Sequence, residues 1–395
     1  MSNLEHNEEL LSSNTQAKFS DFDIPDFLVQ SLEKGGITSP SPVQEKAIPL
    51  ALKGQDVLAS AQTGTGKTIA FLLPIITRML ANPESNALIL APTRELAVQV
   101  KEAAFKLLPR EGKIKTLALI GGESITKQFF QLKENGATRK KPDTKFVRGR
   151  RDDFDRSSGG DGTHSGLIIV GTPGRIKDHK SRGNLKFDRI NFFVLDETDR
   201  MLDLGFKEDI EEIFQSLPQE RQTMMFSATM PSKIVVMSRE YLKNPARVDI
   251  EKKPENAPKI TQDVLKYSYS QKFNVLKKFL NEKEGTAIIF VKTKMGCEEL
   301  ASKLEAEGID AKAIHGDLKQ RERDYVLKAF KLGKMRVMVA TDVAARGLHV
   351  PNISFVINYD LPQNKEDYIH RIGRTGRAGE IGNAISFVNE DDRRE

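Results

Sequence analysis

Short apolar runs alternate with stretches of helical period from Phe19 onward, and most of the apolar runs lead directly into a polar cluster. This alternation is typical of a parallel β-sheet covered by helices on both faces. The pattern occurs in two blocks, separated by residues 244–262, where three prolines stand among charged residues and no apolar period is sustained. The sequence therefore predicts an α/β protein with two parallel-sheet domains in tandem, joined by a short linker.

Eleven apolar runs predict strands. In the first block they lie at residues 57–59, 87–90, 116–120, 167–170, 192–195 and 223–226. In the second block they lie at residues 286–290, 311–314, 337–340, 355–357 and 384–387. Ligands of open α/β sheets bind at the carboxyl ends of the strands, so the polar clusters that follow the first six strands should line one common edge.

Composition excludes several classes of protein. The net charge of +6, from 61 basic and 55 acidic residues, weakly favours a polyanionic partner such as nucleic acid. Cys297 is the only cysteine, which fits a reducing compartment and predicts an inert thiol. The six histidines lack metal-ligand spacing, no segment approaches the roughly 20 apolar residues of a membrane span, and the first 18 residues lack an apolar signal core. We therefore expect a cytoplasmic protein without a zinc site or membrane contact.

Residues 61–68 read Ala-Gln-Thr-Gly-Thr-Gly-Lys-Thr and directly follow the first predicted strand. The glycines allow backbone N–H groups to surround phosphate oxygens, the next helix offers its positive end, Lys67 adds a charge and Thr68 can hold Mg²⁺. A flexible turn is the alternative, but the apolar helical stretch 69–80 disfavours it. The predicted nucleotide-binding residues of this loop are Ala61, where the pattern usually has glycine, and Gln62, Thr63, Gly64, Thr65, Gly66, Lys67 and Thr68.

An acidic pair, Asp196 and Glu197, follows the buried-type run 192–195. Hydrolysis of a nucleotide needs a metal-neutralised phosphate and a positioned water. Asp196 is therefore predicted to bind Mg²⁺, in part through water, and Glu197 to orient or deprotonate the attacking water. Two acids at a strand end are often only solvated turn residues, but here they share a predicted edge with the phosphate loop.

Residues 370–377 read His-Arg-Ile-Gly-Arg-Thr-Gly-Arg in the second block. Arg374 and Arg377 are three residues apart and can approach the same phosphate. Guanidinium groups supplied by a second domain would make hydrolysis depend on domain closure. A basic, solvated surface is the alternative, although the interrupting glycines favour a tight path beside a ligand.

These motifs, in this order, resemble those of the DEAD-box RNA helicases of superfamily 2, with the bacterial members most similar. The resemblance extends over residues 19–387 and rests on Phe19, on residues 36–44, 61–68, 92–96, 121–122, 172–175, 196–199 and 227–229, and on residues 290–293, 320–323, 341–347 and 370–377. It implies two RecA-like domains: a flexible tail at 1–18, an ATP-binding lobe at 19–246, a linker at 247–262 and a C-terminal lobe at 263–395.

The resemblance implies ATP and Mg²⁺ as cofactors, with Gln44 reading the adenine edge and Phe19 stacking on the base. A carboxamide suits the first task because it donates and accepts at once. The resemblance also implies that both domains hold one RNA strand through phosphates and sugars, without reading the bases, and that contact with 2′-hydroxyl groups would favour RNA over DNA. The implied RNA-binding residues are Pro92, Thr93, Arg94, Glu95, Gly121, Gly122, Thr172, Pro173, Gly174, Arg175, Gln320, Arg323 and Thr341. The residues implied to couple the domains are Asp199, Ser227, Thr229, Asp342 and His370.

The sequence departs from the family at four places. Thr198 replaces the alanine that gives the family its name, and His349 replaces an aspartate that contacts the ATP ribose. Residues 137–165 form an insertion rich in charged residues, glycine and serine, which we expect to be disordered. The chain stops at Glu395, so we expect the helix that usually follows to be missing or removed.

The resemblance implies a monomeric ATP-dependent RNA helicase, in which RNA stimulates ATP hydrolysis and hydrolysis is coupled to local duplex unwinding or ribonucleoprotein remodelling. Two alternatives stay open. An ATP-gated RNA clamp would show slow turnover with long-lived RNA complexes, and a DNA translocase would be stimulated equally by DNA. The sequence does not identify the RNA, the pathway or the protein partners, for which RNA decay and ribosome assembly are candidate processes.

Overall fold

The computed structural model describes residues 17–61, 64–109, 112–137, 166–250, 260–345, 353–376 and 381–390. The chain divides into two compact units at residue 251. Within the described residues, no helix is long and apolar enough to cross a membrane.

The first unit is built on a seven-stranded parallel sheet with the order β3-β4-β2-β5-β6-β1-β7. Its strands are β1 (Val57–Ser60), β2 (Asn86–Leu90), β3 (Lys115–Leu119), β4 (Leu167–Gly171), β5 (Ile190–Leu195), β6 (Gln222–Ser227) and β7 (Ala246–Asp249). Its α-helices are α1 (Asp26–Lys34), α2 (Pro42–Leu52), α3 (Lys67–Ala81), α4 (Arg94–Leu107), α5 (Ile125–Glu134), α6 (Pro173–Ser181), α7 (Thr198–Asp203), α8 (Lys207–Phe214) and α9 (Ser232–Tyr241).

The second unit is built on a six-stranded parallel sheet with the order β10-β11-β9-β12-β13-β8. Its strands are β8 (Ile260–Tyr267), β9 (Ala287–Phe290), β10 (Ala311–Ile314), β11 (Val337–Ala340), β12 (Phe355–Asn358) and β13 (Gly382–Asn389). Its α-helices are α10 (Lys272–Glu282), α11 (Lys294–Ala306), α12 (Gln320–Lys331), α13 (Asp342–Ala345) and α14 (Lys365–Ile372).

Each sheet lies between two apolar layers, because successive residues of a strand face opposite sides. In the first unit, Val194 packs in the layer formed with α1 to α4, and its neighbours Phe193 and Leu195 pack in the layer formed with α5 to α9. In the second unit, Ile289 faces the layer of α10 and α11, and Ile288 faces that of α12 and α13. The predicted fold class is confirmed, and all eleven predicted strands are present.

Two strands, β7 and β8, overlap the two ends of the segment 247–262 that the sequence predicted as a linker. Each is an outermost strand of its sheet, with a neighbour on one side only. Only Val248 of β7 is buried and no residue of β8 is, so neither shows the apolar run of a central parallel strand. Residues 247–249 of the predicted linker belong to β7, and residues 260–262 belong to β8.

Cys297 lies in α11 and is fully buried. Burial raises the pKa of its thiol to about 12. A neutral, inaccessible thiol agrees with the predicted inert side chain.

Candidate functional site

The loop between β1 and α3 has the backbone shape that its glycines predict. Gly64 and Gly66 both have a φ of +89°, a left-handed conformation that other residues rarely adopt. Gly66 directly precedes α3, so the amino end of this helix opens onto the loop as phosphate binding requires. Ala61 is buried, and its N–H donates to the Ser227 carbonyl at 3.0 Å. Thr68 is half-buried in the first turn of α3.

The start of α2 holds this loop in place. Gln44 Nε2 donates to the Gly66 carbonyl at 2.9 Å, and a Cβ atom on Gly66 would collide with the Gln44 carboxamide. Ser41 Oγ donates to the Thr65 carbonyl at 2.7 Å, and Gln44 Oε1 accepts from Ser41 N at 2.9 Å. No role was predicted for Ser41, although a serine three residues before a glutamine is the signal of a capping box.

Lys67 and Asp196 place two buried charges beside the loop. They are 6% and 2% exposed, and neither Lys67 Nζ nor Asp196 Oδ1 has a hydrogen-bond partner among the described residues. Burial raises the pKa of the Asp196 carboxyl to about 7, although the nearby Lys67 ammonium acts in the opposite direction. Buried polar atoms without partners are costly. A phosphate group at Lys67 and a divalent cation at Asp196 would satisfy both atoms.

Glu197 has a backbone conformation that is unusual for a residue other than glycine. Its φ of 51° and ψ of 53° lie in the left-handed region, where strain is characteristic of functional sites. Its carboxylate forms an ion pair with Arg200, and both side chains are almost fully buried. No role was predicted for Arg200, although its position one helical turn after Glu197 is a signal of contact.

Asp199 joins the acidic motif to the loop after β6. Its Oδ2 accepts from Ala228 N at 3.1 Å, from Thr229 N at 2.9 Å and from Thr229 Oγ1 at 2.9 Å. Ser227 Oγ donates to the Thr229 carbonyl at 2.7 Å. Two clusters that are far apart in sequence therefore form one hydrogen-bonded unit at the sheet edge.

Thr198, which stands where the family has alanine, is fully buried. Its hydroxyl lies 3.3 Å from the Leu195 carbonyl and 3.2 Å from the Phe226 carbonyl. The last residue pair of β5 and β6 is Leu195 with Met225, so Phe226 lies one residue beyond the ladder. The hydroxyl thus has acceptors at the ends of both strands, which explains how the substitution is accommodated.

Arg94 packs against the loop after β3. We call residues 120–123 the Gly loop. A Cβ atom on Gly121 or Gly122 would collide with or crowd the Arg94 guanidinium, and Gly122 has a φ of +82°. Thr93 caps the start of α4, where its Oγ1 accepts from Leu96 N at 3.3 Å. Pro92 and Glu95 beside it are buried.

Arg175 approaches the same Gly loop from α6. Its Nη1 donates to the Glu123 carbonyl at 3.1 Å. Thr172 precedes α6, whose first residues are Pro173 and Gly174. The structure therefore brings together three of the segments implied to bind RNA, at residues 92–95, 121–122 and 172–175.

In the second unit, Arg371 is almost completely buried and holds two motifs together. Its Nε and Nη2 donate to the two carboxylate oxygens of Asp342 at 2.6 and 2.7 Å. Its Nη1 donates to Asn358 Oδ1 at 3.1 Å and to the Asp360 carbonyl at 2.5 Å. Arg371 lies in a predicted motif, but no role was predicted for it. Its four hydrogen bonds run to residues 11 to 29 positions away, so no local sequence pattern indicates them.

The other predicted residues of the second unit lie at helix starts or near α14. Gln320 begins α12, where its Nε2 donates to Asp324 Oδ1 at 3.0 Å, and Arg323 is buried on the same helix. Thr341 is buried directly before α13. Arg374 is buried, and its Nε donates to the His370 carbonyl at 3.3 Å.

Five predicted residues are not tested by this geometry. Gln62, Thr63, His349 and Arg377 lie outside the described residues. Phe19 lies in the first core, 2% exposed, with its ring edge-on to Phe22 at a centroid distance of 6.0 Å. Stacking of Phe19 on a base therefore stays a prediction.

Two parallel-sheet domains, of which the first carries a phosphate-loop motif and an acidic strand end, define an α/β protein of the nucleotide-binding class. The model of the DEAD/DEAH box helicase family matches residues 41–237, and that of the helicase conserved C-terminal domain matches residues 271–379. The chain belongs to the DEAD-box family of ATP-dependent RNA helicases.

Bacterial relatives match nearly the whole chain. This chain is 44% identical over 375 residues to the ATP-dependent RNA helicase CshA of Listeria monocytogenes. The matched region covers 94% of this chain and 66% of the relative. This chain is also 41% identical over 372 residues to the DEAD-box ATP-dependent RNA helicase CshA of Geobacillus kaustophilus. That matched region covers 94% of this chain and 73% of the relative.

Solved helicase structures share the fold. Mss116p bound to single-stranded RNA and AMP-PNP is 27% identical with a TM-score of 0.79, over 96% of this chain and 76% of that one. S. cerevisiae Dbp5 bound to RNA and ADP–BeF3 is 31% identical with a TM-score of 0.76, over 94% of this chain and 90% of that one.

Proposed function

We propose that this helicase core hydrolyses ATP slowly by itself, is strongly stimulated by RNA, and uses the cycle to unwind short RNA duplexes or remodel RNA–protein complexes. One observation carries the proposal. The same edge of the first sheet holds the buried Lys67 and Asp196 after β1 and β5, and holds Arg94 and Arg175 around the Gly loop after β3. A nucleotide site and a surface for a polyanion are thus parts of one rigid sheet.

At the nucleotide site, Lys67 would bind the phosphates. Asp196 and Thr68 would hold Mg²⁺, which when bound neutralises phosphate charge. Glu197 would orient the attacking water and accept its proton, with the Arg200 ion pair fixing the carboxylate. The orphaned Lys67 Nζ and Asp196 Oδ1 support this assignment because the ligand would satisfy both.

At the Gly loop, Arg94, Arg175 and backbone N–H groups would bind phosphates of a single strand. Such contacts carry no base information, so we propose sequence-independent binding. Arg374 of the second domain would reach the ATP phosphates when ATP and RNA bring the domains together. Hydrolysis would therefore depend on RNA.

The test is to measure ATP hydrolysis with no nucleic acid, with single-stranded RNA and with DNA of the same sequence, together with unwinding of a short RNA duplex. We expect strong stimulation by RNA, little by DNA, and unwinding that requires ATP. Equal stimulation by DNA would favour a DNA translocase, and stable RNA binding with slow turnover and no unwinding would favour an RNA clamp.

Nucleotide selection should depend on Gln44. Beyond its bonds to Ser41 N and the Gly66 carbonyl, its carboxamide has one more N–H and one more lone pair. Adenine offers a matching acceptor and donor, whereas guanine offers two acceptors. We expect ATP to be preferred over GTP by about 1 to 3 kcal/mol, or roughly 5- to 150-fold in kcat/KM at saturating RNA.

The variant Gln44→Ala should lose this preference, and Gln30→Ala, the same change at an exposed position of α1, should keep it. Equal rates with GTP and ATP in the unchanged protein would remove the adenine-reading role of Gln44.

The insertion should be dispensable for chemistry. Residues 138–165 lie outside the described part of the chain, but their neighbours lie at the amino end of the first sheet. The Gly166 carbonyl accepts from Lys115 N at 2.9 Å as β3 begins, and the Ala137 carbonyl accepts from Lys186 N at 2.9 Å. This end is opposite to the edge that carries the motifs.

Deleting residues 138–165 and joining the ends with a short glycine-serine linker should leave RNA-stimulated hydrolysis intact at saturating RNA. The eight basic and five acidic residues of 137–165 add at most weak, salt-sensitive RNA affinity, which RNA titrations at two salt concentrations would measure. Loss of stimulation at saturating RNA would show that the insertion contributes to the motif edge.

A further inference from the structure

Gln128 of α5 is a fully buried carboxamide in which all four hydrogen-bonding positions have partners. Its Nε2 donates to the Ile120 carbonyl at 3.0 Å and to Glu123 Oε2 at 3.2 Å. Its Oε1 accepts from Arg175 Nη1 at 2.8 Å and lies 3.1 Å from His179 Nε2. One end of the amide thus binds the Gly loop, and the other end binds α6.

His179 fixes the orientation of this carboxamide. Its Nδ1 lies 3.4 Å from Asn184 Nδ2, an amide nitrogen that only donates, so Nδ1 is the acceptor and Nε2 carries the proton given to Gln128. Burial lowers the pKa of His179 to about 4, and the nearby Arg175 acts in the same direction. The ring is therefore neutral between pH 6 and 8 and keeps this tautomer.

The same network binds Nη1 of the Arg175 guanidinium, and Nε of this group lies 3.9 Å from Asp178 Oδ2. Nη1 donates both to Gln128 Oε1 and to the Glu123 carbonyl, while Nη2 takes part in neither bond. The Arg175 side chain is 13% exposed. A long side chain that is ordered before a ligand arrives loses less entropy on binding.

We propose that Gln128 is a positioning residue for RNA binding, which fixes the Arg175 guanidinium against the Gly loop so that its Nη2 edge meets an RNA phosphate. The inference rests on the proposed RNA contact of Arg175. Gln128 itself touches no RNA, because it is fully buried beneath the loop. His179 supports it by keeping the carboxamide oxygen toward Arg175.

The test uses Gln128→Met, which keeps the length of the side chain and removes its polar atoms. The matched control is Gln131→Met, the same change at a half-buried position of α5. Since hydrogen bonds to a charged group are worth about 1.5 to 3 kcal/mol, the RNA concentration for half-maximal ATPase should rise about tenfold or more in Gln128→Met. Maximal turnover and the KM for ATP should stay unchanged.

A merely structural role for Gln128 would give a different result. Loss of folded protein would lower maximal turnover and the melting temperature, but it would not change the RNA concentration for half-maximal activity. His179→Leu provides a second variant, which removes the donor to Gln128 and keeps the Arg175 bond. It should shift the RNA requirement in the same direction by a smaller factor.

Two further measurements connect the effect to Arg175. Loss of one phosphate contact should reduce the slope of log affinity against log salt by about 0.7 on single-stranded RNA, in Gln128→Met as in Arg175→Ala. The double variant should bind RNA no more weakly than Arg175→Ala alone, because both changes remove the same contact.

The positioning role would be overturned if Arg175→Ala weakened RNA binding while Gln128→Met did not, or if the two effects were fully additive. Unchanged RNA affinity in Arg175→Ala would overturn the inference at its basis, the proposed RNA contact of Arg175. RNA-stimulated hydrolysis of the unchanged protein, measured alongside, distinguishes that outcome from failure of the proposed function as a whole.

Discussion

Replacing Glu197 by glutamine should reduce RNA-stimulated ATP turnover by about 10²- to 10⁴-fold, the contribution expected of a positioned general base. Glutamine has the same shape but cannot accept the proton of the attacking water. ATP-dependent RNA binding should persist, because domain closure requires bound ligands and not hydrolysis. Turnover is measured at saturating ATP and RNA, and binding is measured with labelled RNA.

The control for this variant is Glu208→Gln, the same change at an exposed position of α8. A melting curve is also needed, since Glu197→Gln leaves the buried Arg200 without its carboxylate partner, which destabilises a fold. Full turnover in a folded Glu197→Gln protein would remove Glu197 from the catalytic site.

Replacing Arg374 by alanine should lower maximal turnover by about 10³-fold or more, the usual contribution of an arginine that stabilises phosphoryl-transfer charge. The fold of the second domain should survive, because the buried guanidinium that binds Asp342 and Asn358 belongs to Arg371 and stays in place. Arg374→Lys should also be impaired, since an ammonium group does not reproduce the planar fork of a guanidinium.

The comparison for Arg374→Ala is Lys331→Ala, which removes an exposed cation from α12 of the same domain. Turnover is measured at saturating ATP and RNA, so that weaker binding does not mimic slower chemistry. A change of only a few-fold in Arg374→Ala would show that this guanidinium does not act on the reacting phosphate.

Central strands could be predicted from sequence because both faces of a parallel sheet are covered by helices. The strand residues 192–195 and 287–290 are therefore continuous apolar runs. The edge strands β7 and β8 could not be predicted, since their exposed residues carry no such pattern and their pairing depends on distant strands. The predicted linker therefore includes residues of both strands.

In the candidate site, too, some features could be predicted from the sequence and others could not. The phosphate loop and the acidic pair could be predicted because their chemistry is encoded in consecutive residues. The bonds from Gln44 to Gly66 and from Asp199 to Thr229 join residues that are 22 and 30 positions apart. Nothing local in the sequence indicates these pairs, since the strand order that brings them together is decided by packing.

Sequence by itself determined the fold class and indicated the phosphate loop, because periodicity, glycine conformations and charge act over a few neighbouring positions. Resemblance to the family indicated most of the other motif residues. Tertiary structure decided what each motif residue is bound to. Arg371 and Arg374 belong to the same motif, and the structure binds the Arg371 guanidinium to both carboxylate oxygens of Asp342, which commits Arg371 to holding the domain together. Lys67 and Asp196 are buried by strands and helices that leave Lys67 Nζ and Asp196 Oδ1 without a partner among the described residues. Because burial makes such atoms costly, this arrangement supports the proposed binding of a charged ligand at these two side chains.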